Sequence, residues 1–338
     1  MLLIDAIFIH NGGGKVLLNY LIEELEKTDY KVFYLFDERF PYQQYAIKST
    51  NMIAVQKASL FKRHGFYKKN GCKFNKVFIL GNIPPTIKLR GETIVYFHNA
   101  IYLSVPRSFS ILQRLKYKLK IAIIRCFEPN VSRWLVQTEY IKNKFSEKFA
   151  KIEKVEILPF YPTLEVRKKN RIPHSFFYVS NAQENKNHIR LIDAFCKSFD
   201  QLKKGRLILT VSGDFPDIVE HINQAIKNGY PIENVGFLQK EALVEKYAES
   251  EFVIFPSLSE SFGLGIIEGI RAGCNIIGAD LPYTYAVCRP SAVFNPYDID
   301  DISKVINKVI LSSVCKSTSL VTDEMFNLIT ILNSNDNS

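Results

Sequence analysis

Glu260 and Glu268 have seven residues between them, and their type and spacing suggest chemistry more clearly than any other pair in the sequence. A predicted strand ends at Pro256, and a helix is expected to begin near Gly263. The first turn of a helix has N–H groups without partners and the positive end of the helix dipole, so it binds anions. Gly263 lets the backbone approach such an anion closely. Glu268 then lies just over one turn into the helix, where it can reach a hydroxyl beside the anion.

The same two glutamates also have a structural interpretation. A carboxylate just before a helix start is stabilised by the helix dipole, and a glutamate inside a helix is ordinarily solvated. For two glutamates without further context this second interpretation is the more common one. The surrounding motifs must therefore decide between the two.

Two other motifs suggest phosphate or metal chemistry, but their spacing argues against it. The segment 12–15 lacks the G-x-x-x-x-G-K-[ST] spacing of a P-loop, and no G-x-G-x-x-G follows the preceding strand. Asp298 and Asp300 form a D-x-D pair, but Asp298 directly precedes an apolar-periodic segment and is well placed to cap a helix. We therefore predict no metal ion in the site.

His98 directly follows the apolar segment 95–97. A histidine at a strand end is usually structural, but the carboxyl end of a parallel strand is also where α/β proteins bind ligands. His10 ends the first strand and is a weaker candidate, and no role is assigned to His188.

The elements that must position these residues alternate along the whole chain. Short, continuously apolar segments are separated by amphipathic helical ones, which predicts α/β units with parallel sheets covered on both faces. Strands are expected at Leu2–His10, Lys31–Phe36, Lys76–Leu80, Thr93–Phe97, Arg133–Gln137, Phe176–Ser180, Leu207–Ser212, Phe252–Pro256 and Asn275–Gly278. Helices are expected from the Gly12–Gly14 loop to Lys27 and at Asn187–Phe199, Ile218–Asn228, Lys240–Glu249, Gly263–Ala272 and Ile299–Leu311.

This pattern predicts two doubly wound, Rossmann-like domains that face a central cleft. The first domain is expected to span residues 1–160 and the second residues 174–314. A linker is placed at 161–173, which is rich in proline and contains the basic run 167–171. Residues 315–338 are expected to form a C-terminal helix and tail.

Residues 256–268 read P-S-x-x-E-x-F-G-L-x-x-x-E, which resembles the signature of family-4 retaining glycosyltransferases of the GT-B fold. The resemblance covers nearly the whole chain, and the other matching segments are individually weak but follow the order of the family. These segments are Gly12–Gly14, His98, Trp134–Thr138, Tyr178–Asn181, Glu184–His188, Val211–Asp214, Val235–Leu238 and Asn275–Pro282.

The resemblance implies roles for the matched residues. Glu268 would hydrogen-bond the ribose of the donor nucleotide, and Glu260 would lie near the transferred sugar together with His98. Lys186 would neutralise the diphosphate leaving group. The backbone of the signature loop would contact sugar and diphosphate, and the glycine loop would close on the phosphates or admit the acceptor. The remaining donor-binding residues implied are Gly13, Gly14, Ser261, Phe262, Gly263 and Leu264.

The sequence departs from the family at Asn181, where an arginine usually acts with the lysine. Lys15 or Arg190 could take its place. Gln239 also stands where a glycine is common. The chemistry is nevertheless coherent, because a lysine and a helix N-terminus stabilise the charge that develops on a leaving diphosphate without a divalent metal.

The composition is that of a globular protein, with 338 residues, 47% hydrophobic and 23% charged. No apolar run is long enough to cross a bilayer, and no secretory signal is recognised. The six cysteines form no C-x-x-C pair, which is typical of reduced thiols. These features predict a cytoplasmic protein.

The positive charge is concentrated in the first 160 residues, which hold 26 Lys and Arg against 13 Asp and Glu. This imbalance predicts an anionic partner.

The segment 107–125 has six basic residues, no acidic residue and an apolar arc. It is either an amphipathic helix on an anionic membrane surface or a core-packing helix with a solvated basic face. A second basic cluster, 62–76, is expected around a loop, and no nucleic-acid-binding motif accompanies either cluster.

Together these observations predict a retaining glycosyltransferase that moves a sugar from a nucleoside-diphosphate sugar to a saccharide hydroxyl, with no cofactor and no nucleic-acid partner. The basic N-terminal half favours a lipid-diphosphate-linked acceptor at the inner face of the cytoplasmic membrane, as in O-antigen or capsule assembly. Two alternatives stay open: a nucleotide-sugar epimerase of the same fold, and a catalytically silent scaffold subunit, which the departure at Asn181 favours.

Overall fold

The computed structural model of the protein describes residues 1–106, 109–149, 152, 154–166 and 169–334. The chain forms two compact units. The first comprises Met1–Pro162 and Thr322–Ser338, and the second Thr163–Val321. The division falls inside the predicted linker, and the last segment of the chain belongs to the first unit.

The first unit is built on a seven-stranded parallel sheet with the order β3-β2-β1-β4-β5-β6-β7. Its strands are β1 (Leu2–Ala6), β2 (Val32–Asp37), β3 (Met52–Gln56), β4 (Lys76–Ile79), β5 (Glu92–Phe97), β6 (Arg133–Val136) and β7 (Val155–Ile157). The order of the strands reverses between β1 and β4, and Leu3 of β1 pairs with Phe33 of β2 on one side and with Val77 of β4 on the other. The carboxyl ends at such a switch point form a natural crevice.

Helices cover the first sheet and bury its apolar strands. They are α1 (Gly12–Leu25), α2 (Leu60–Asn70), α3 (Ile111–Phe127) and α4 (Glu139–Lys148). The C-terminal helix, Met325–Asn333, also belongs to this unit, and its Ile331 carbonyl accepts a hydrogen bond from Lys76. The core is dominated by aromatic side chains from β5, β6 and α4, among them Phe97, Trp134 and Phe145.

The second unit has a six-stranded parallel sheet with the order β10-β9-β8-β11-β12-β14. Its strands are β8 (Ile172–Tyr178), β9 (Arg206–Leu209), β10 (Ile232–Asn234), β11 (Ser250–Phe255), β12 (Asn275–Ala279) and β14 (Ala292–Phe294), with a small antiparallel pair, β13 (Cys288–Arg289) and β15 (Thr318–Ser319). The helices are α5 (His188–Leu202), α6 (Pro216–Lys227), α7 (Lys240–Glu249), α8 (Leu264–Arg271), α9 (Pro282–Val287) and α10 (Ile299–Leu311). The predicted α/β class with two parallel, doubly wound sheets is confirmed.

The prediction of a loop around the basic cluster 62–76 is wrong. Residues 60–70 form helix α2, whose first turn is capped by the Ser59 side chain. Arg63 is buried, and its Nε lies 2.6 Å from Oδ2 of the buried Asp5. Tyr67 also donates to that oxygen. Lys76 is buried too, and its Nζ lies 2.9 Å from Oε2 of Glu92. This cluster therefore supplies two internal cations to the fold, rather than a wholly solvated basic surface.

Part of the predicted linker is a structural element of the second unit. Arg171 donates hydrogen bonds to the backbone carbonyls of Tyr247, Ser250 and Ala272, and β8 begins at the next residue. Arg167 and Lys168 of the same basic run lie outside the described residues. Residues 335–338 of the predicted tail also lie outside them.

Candidate functional site

The loop between β11 and α8 carries the glutamate signature in the second unit. Gly263 caps α8 with φ of +76°, a left-handed conformation that favours glycine. A Cβ there would lie 3.2 Å from Cδ1 of Ile266 and 3.6 Å from the ring of Phe255. The helix start predicted from sequence is confirmed to within one residue, and it leaves the N–H groups of the first turn of α8 at the end of the loop.

Lys186 and Glu260 form an ion pair, with 2.6 Å between Nζ and Oε1. Their side chains are only 18% and 11% exposed, so solvent screens this pair less than a surface pair. Lys186 ends a short turn, Glu184–Lys186, that precedes α5. The structure thus brings together a lysine and a glutamate that the sequence separates by 74 positions.

Two asparagines hold this turn against the signature loop. Asn187 has φ of +61°, and its Nδ2 donates to the carbonyls of Pro256 and Pro296. The Nδ2 of Asn185 lies 3.1 Å from the Ser259 carbonyl. Sequence reasoning assigned no role to either asparagine. The signal was present in their type, because asparagine tolerates a left-handed backbone and donates through its amide.

Glu268 is partly buried in α8, and its Oε2 accepts a hydrogen bond from the hydroxyl of Tyr247 at 2.7 Å. Burial raises the pKa of this carboxyl, and the hydrogen bond from Tyr247 opposes the rise. Burial also raises the pKa of Tyr247, which keeps it a donor. The solvated interpretation of Glu268 is therefore wrong. Tyr247 was missed because it lies in a different helix, α7.

The other residues of the signature loop differ in exposure. Ser261 and Leu264 are partly exposed, whereas the ring of Phe262 is buried and anchors the loop. Asn181, which stands at the family's arginine position, is exposed. Arg190 donates from Nη1 to Oδ1 of Asn187 at 2.9 Å, so it is tied to the same asparagine that holds the loop.

His98 lies in the first unit, directly after β5. Its Nε2 is 2.7 Å from the Leu80 carbonyl, which identifies this nitrogen as the protonated one. Burial lowers the pKa of His98, so the ring is neutral at pH 7. Asn82, which sequence reasoning missed, has φ of +63° and accepts the backbone N–H of His98 through Oδ1 at 2.8 Å.

The glycines after β1 form the first turn of α1 rather than the loop expected from the sequence. Gly14 is buried against His98, since a Cβ at this position would lie 3.0 Å from Cε1 of that ring. Gly13 is exposed at the same helix start. Two predicted site residues, Gly14 and His98, are thus brought into contact within the first unit.

Asp298 caps helix α10, as predicted. Its Oδ1 accepts the backbone N–H groups of Asp300 and Asp301 at 2.8 and 3.3 Å. The carboxylate of Asp300 in turn pairs with Lys197 at 2.6 Å. In the described part of the chain, no group of three or more His, Cys, Asp or Glu side chains has the arrangement of a metal site.

Helix α3 presents its apolar arc outward. Leu115 and Leu119 are 61% and 62% exposed, whereas Ile121 and Ile124 are buried. At about 100° per residue the exposed pair lies opposite the buried pair. The core-packing interpretation of this arc is therefore wrong. Arg107, the predicted start of the segment, lies outside the described residues. Among the described helices, none is long and apolar enough to span a membrane.

Solved structures with the same architecture define the class of this protein as GT-B. HepE from Anabaena, in complex with UDP and glucose, is 14% identical with a TM-score of 0.66 over 92% of this chain and 89% of that one. Sucrose-phosphate synthase from Thermosynechococcus elongatus is 15% identical, with a TM-score of 0.72 and the same coverage. The lipopolysaccharide outer core galactosyltransferase WaaB is 14% identical, with a TM-score of 0.60 over 93% and 90%. At these identities the similarity is one of fold.

Part of the second unit resembles a known family in sequence. Residues 163–319, which lie within this unit, match the family described as Glycosyl transferases group 1. A segment of 76 residues is 36% identical to the serotype-specific mannosyltransferase WbdA of Escherichia coli. This match covers 22% of the chain and 9% of WbdA. The resemblance inferred from the glutamate signature is confirmed.

Proposed function

We propose that the protein is a retaining glycosyltransferase that moves a sugar from a nucleoside-diphosphate sugar to a hydroxyl of a saccharide acceptor. The observation that carries this proposal is the 2.6 Å ion pair between Lys186 and Glu260 beside the start of α8. This pair places a cation and a carboxylate next to a helix N-terminus, and it does so in the segment that matches the group 1 family.

The proposed chemistry needs charge stabilisation more than a nucleophile. As the bond between the anomeric carbon and the diphosphate oxygen breaks, negative charge develops on the diphosphate. The ammonium group of Lys186 and the free N–H groups of α8 stabilise that charge. The acceptor hydroxyl passes its proton to the departing diphosphate oxygen, while its own oxygen forms the new glycosidic bond to the anomeric carbon. No metal ion is required in this scheme.

The remaining residues bind and orient the donor. Glu268 accepts a hydrogen bond from a ribose hydroxyl while Tyr247 holds its other oxygen. Glu260 pairs with Lys186 and lies beside the transferred sugar. In the first unit, the neutral His98 ring is held by Leu80 and Asn82. Its proposed role in the reaction rests on the family resemblance.

The acceptor is proposed to be a lipid-diphosphate-linked saccharide at the inner face of the cytoplasmic membrane. Support comes from the outward apolar arc of α3, whose Leu115 and Leu119 are flanked by the basic residues Lys118 and Arg125. An exposed apolar stripe edged by cations suits the interface of an anionic membrane. The names of WbdA and WaaB, a serotype-specific mannosyltransferase and a lipopolysaccharide galactosyltransferase, favour surface-polysaccharide assembly.

A donor screen tests the proposal directly. Thermal unfolding is measured with UDP-, GDP- and dTDP-sugars, because a ligand that binds only the folded state raises the apparent stability. Nucleotide release from each stabilising donor is then measured with and without a saccharide acceptor. Acceptor-dependent release supports the transferase. Interconversion of donor sugars without transfer would indicate an epimerase, and the absence of both activities would indicate a silent scaffold.

A further inference from the structure

Helices α3 and α4 line an open surface pocket that the proposed reaction does not use. It has a volume of about 590 Å³ and lies in the first unit. The residues that line it are Lys118, Ile121, Ala122, Arg125, Cys126 and Lys148. Half of these side chains are cations, and the others are apolar or weakly polar.

The three cations are positioned to act on an anion. Arg125 donates from Nη2 to the Lys148 carbonyl at 3.3 Å, and its guanidinium lies 6.0 Å from the ring centre of Phe149, which limits its movement. None of the three forms an ion pair with a carboxylate of the described residues. Helix α3 contains five basic residues and no acidic one. Among the described residues, the positive charge of the pocket therefore has no carboxylate partner.

The pocket continues into an exposed apolar surface. Ala122 and Cys126 line it and also belong to the outward arc of α3, about one and two turns after Leu119. The buried side chain of Ile121 forms part of its wall. A ligand that fits both parts has a phosphate group and an attached apolar chain. Inorganic phosphate or a nucleotide would leave the apolar part uncovered.

We propose that this pocket binds the phosphate headgroup of a single anionic phospholipid of the membrane, with the acyl chains lying along the apolar arc of α3. The inference rests on the proposed membrane association and gives it a specific partner. A site of this kind would fix the first unit in one orientation on the bilayer, whereas general charge attraction fixes only its distance.

The rate at which Cys126 is alkylated measures how much of the pocket is occupied, and the wild-type protein can be used. Cys126 is exposed in the pocket, and the exposed Cys72 in the same unit is an internal reference. Dihexanoyl phosphatidylglycerol below its micelle concentration should slow alkylation of Cys126 about tenfold at about nine-tenths occupancy, with no change at Cys72. Dihexanoyl phosphatidylcholine should leave both rates unchanged. Equal protection by millimolar inorganic phosphate would show a free-phosphate site and overturn the proposal, as would no protection by the anionic lipid.

Two variants that lose the same number of charges distinguish lipid binding in the pocket from general electrostatic attraction to the membrane. The pocket variant carries Lys118→Gln, Arg125→Gln and Lys148→Gln, and the control carries Arg114→Gln, Lys116→Gln and Lys142→Gln, which lie on the same two helices outside the pocket. Each set removes three charges. The pocket variant should bind vesicles of phosphatidylglycerol and phosphatidylcholine about a hundredfold more weakly, and the control about tenfold or less. Equal losses in both variants would overturn the pocket while leaving membrane association intact.

The two proposals fail in different ways. Donor-dependent nucleotide release with a soluble acceptor measures the transferase without a membrane, and both variants should retain it. Loss of release from the wild-type protein would contradict the proposed function but not lipid binding. If the wild-type protein does not sediment with anionic vesicles at low salt, both the lipid site and the membrane association are contradicted. The proposed transferase activity is not affected by that result.

Discussion

At the scale of single residues, nucleotide affinity is expected to depend most on Glu268. A Glu268→Gln variant keeps the size of the side chain but removes the charge that accepts a ribose hydroxyl. A hydrogen bond to a charged group contributes about 1.5–3 kcal/mol, so the affinity for the free nucleotide should fall about tenfold to a hundredfold. Calorimetry measures this, with the exposed Glu241→Gln in α7 as the control. Unchanged affinity in Glu268→Gln would refute the assignment.

The pH dependence of nucleotide binding follows from the same residue. Burial raises the pKa of the Glu268 carboxyl above its ordinary value of 4.5. The ionised form accepts the ribose hydrogen bond, so affinity should fall as the pH is lowered, and the decline should begin at a higher pH than for an ordinary glutamate. Calorimetry between pH 7.5 and about pH 5 measures this. An affinity that is constant over this range would show that the carboxylate charge is not used.

Glu260 is expected to affect turnover more than nucleotide affinity, because it pairs with Lys186 and is proposed to lie beside the sugar rather than the ribose. In a Glu260→Gln variant, kcat should fall about a hundredfold, the size of effect seen when one preorganised electrostatic group is removed from an active site. The affinity for the free nucleotide should change less than threefold. Both kcat and the affinity for the free nucleotide are measured for this variant. A larger loss in affinity than in kcat would contradict the role assigned to Glu260.

At the scale of elements, Gly263 determines how α8 begins. An alanine that adopts this left-handed φ is destabilised by about 1–2 kcal/mol, and its Cβ would also be crowded by the side chain of Ile266. Gly263→Ala should therefore lower the free energy of unfolding by at least about 1 kcal/mol. Gly213→Ala is the control, because its backbone is not left-handed and no atom lies within 4 Å of the added Cβ. Urea unfolding measures both variants, and equal stabilities would contradict the argument.

Helix α3 provides a second prediction at this scale. A Leu115→Ser, Leu119→Ser variant changes only exposed side chains, so its thermal stability should stay close to that of wild type. Its sedimentation with anionic vesicles should fall, because the apolar arc no longer favours the interface. Ile124→Ser is the matched control on the buried face, and it should lower stability by about 2–5 kcal/mol. Destabilisation by the leucine changes instead would show that the arc packs against protein.

At the scale of the whole molecule, the proposed chemistry does not depend on a divalent metal. In the proposed reaction, Lys186 and the start of α8 stabilise the charge of the leaving diphosphate. Asp298 caps α10, and Asp300 forms an ion pair with Lys197. Turnover should therefore persist in excess EDTA. Nucleotide release is measured with and without the chelator. A complete loss that magnesium or manganese restores would mean that carboxylates of the protein or of the donor hold a required metal.

The sequence by itself determined the features that are encoded locally. Strand segments follow from continuous apolar runs, the start of α8 from Gly263, and the cap of α10 from Asp298. The glutamate signature indicated the resemblance to glycosyltransferases for the same reason, since its spacing is set by one loop and one helix. Strands of three residues, such as β7 and β10, escaped prediction because few residues carry their pattern.

Only the tertiary structure decided which residues meet and which faces are covered. Lys186 and Glu260, like Asp5 and Arg63, are far apart in sequence, and no local pattern encodes their pairing. An amphipathic pattern shows that a helix has an apolar face, but not whether protein covers that face. The apolar arc of α3 points outward because Ile121 and Ile124, on its other side, pack into the core. Burial depends on the elements that pack against a residue, and those elements are distant in the chain.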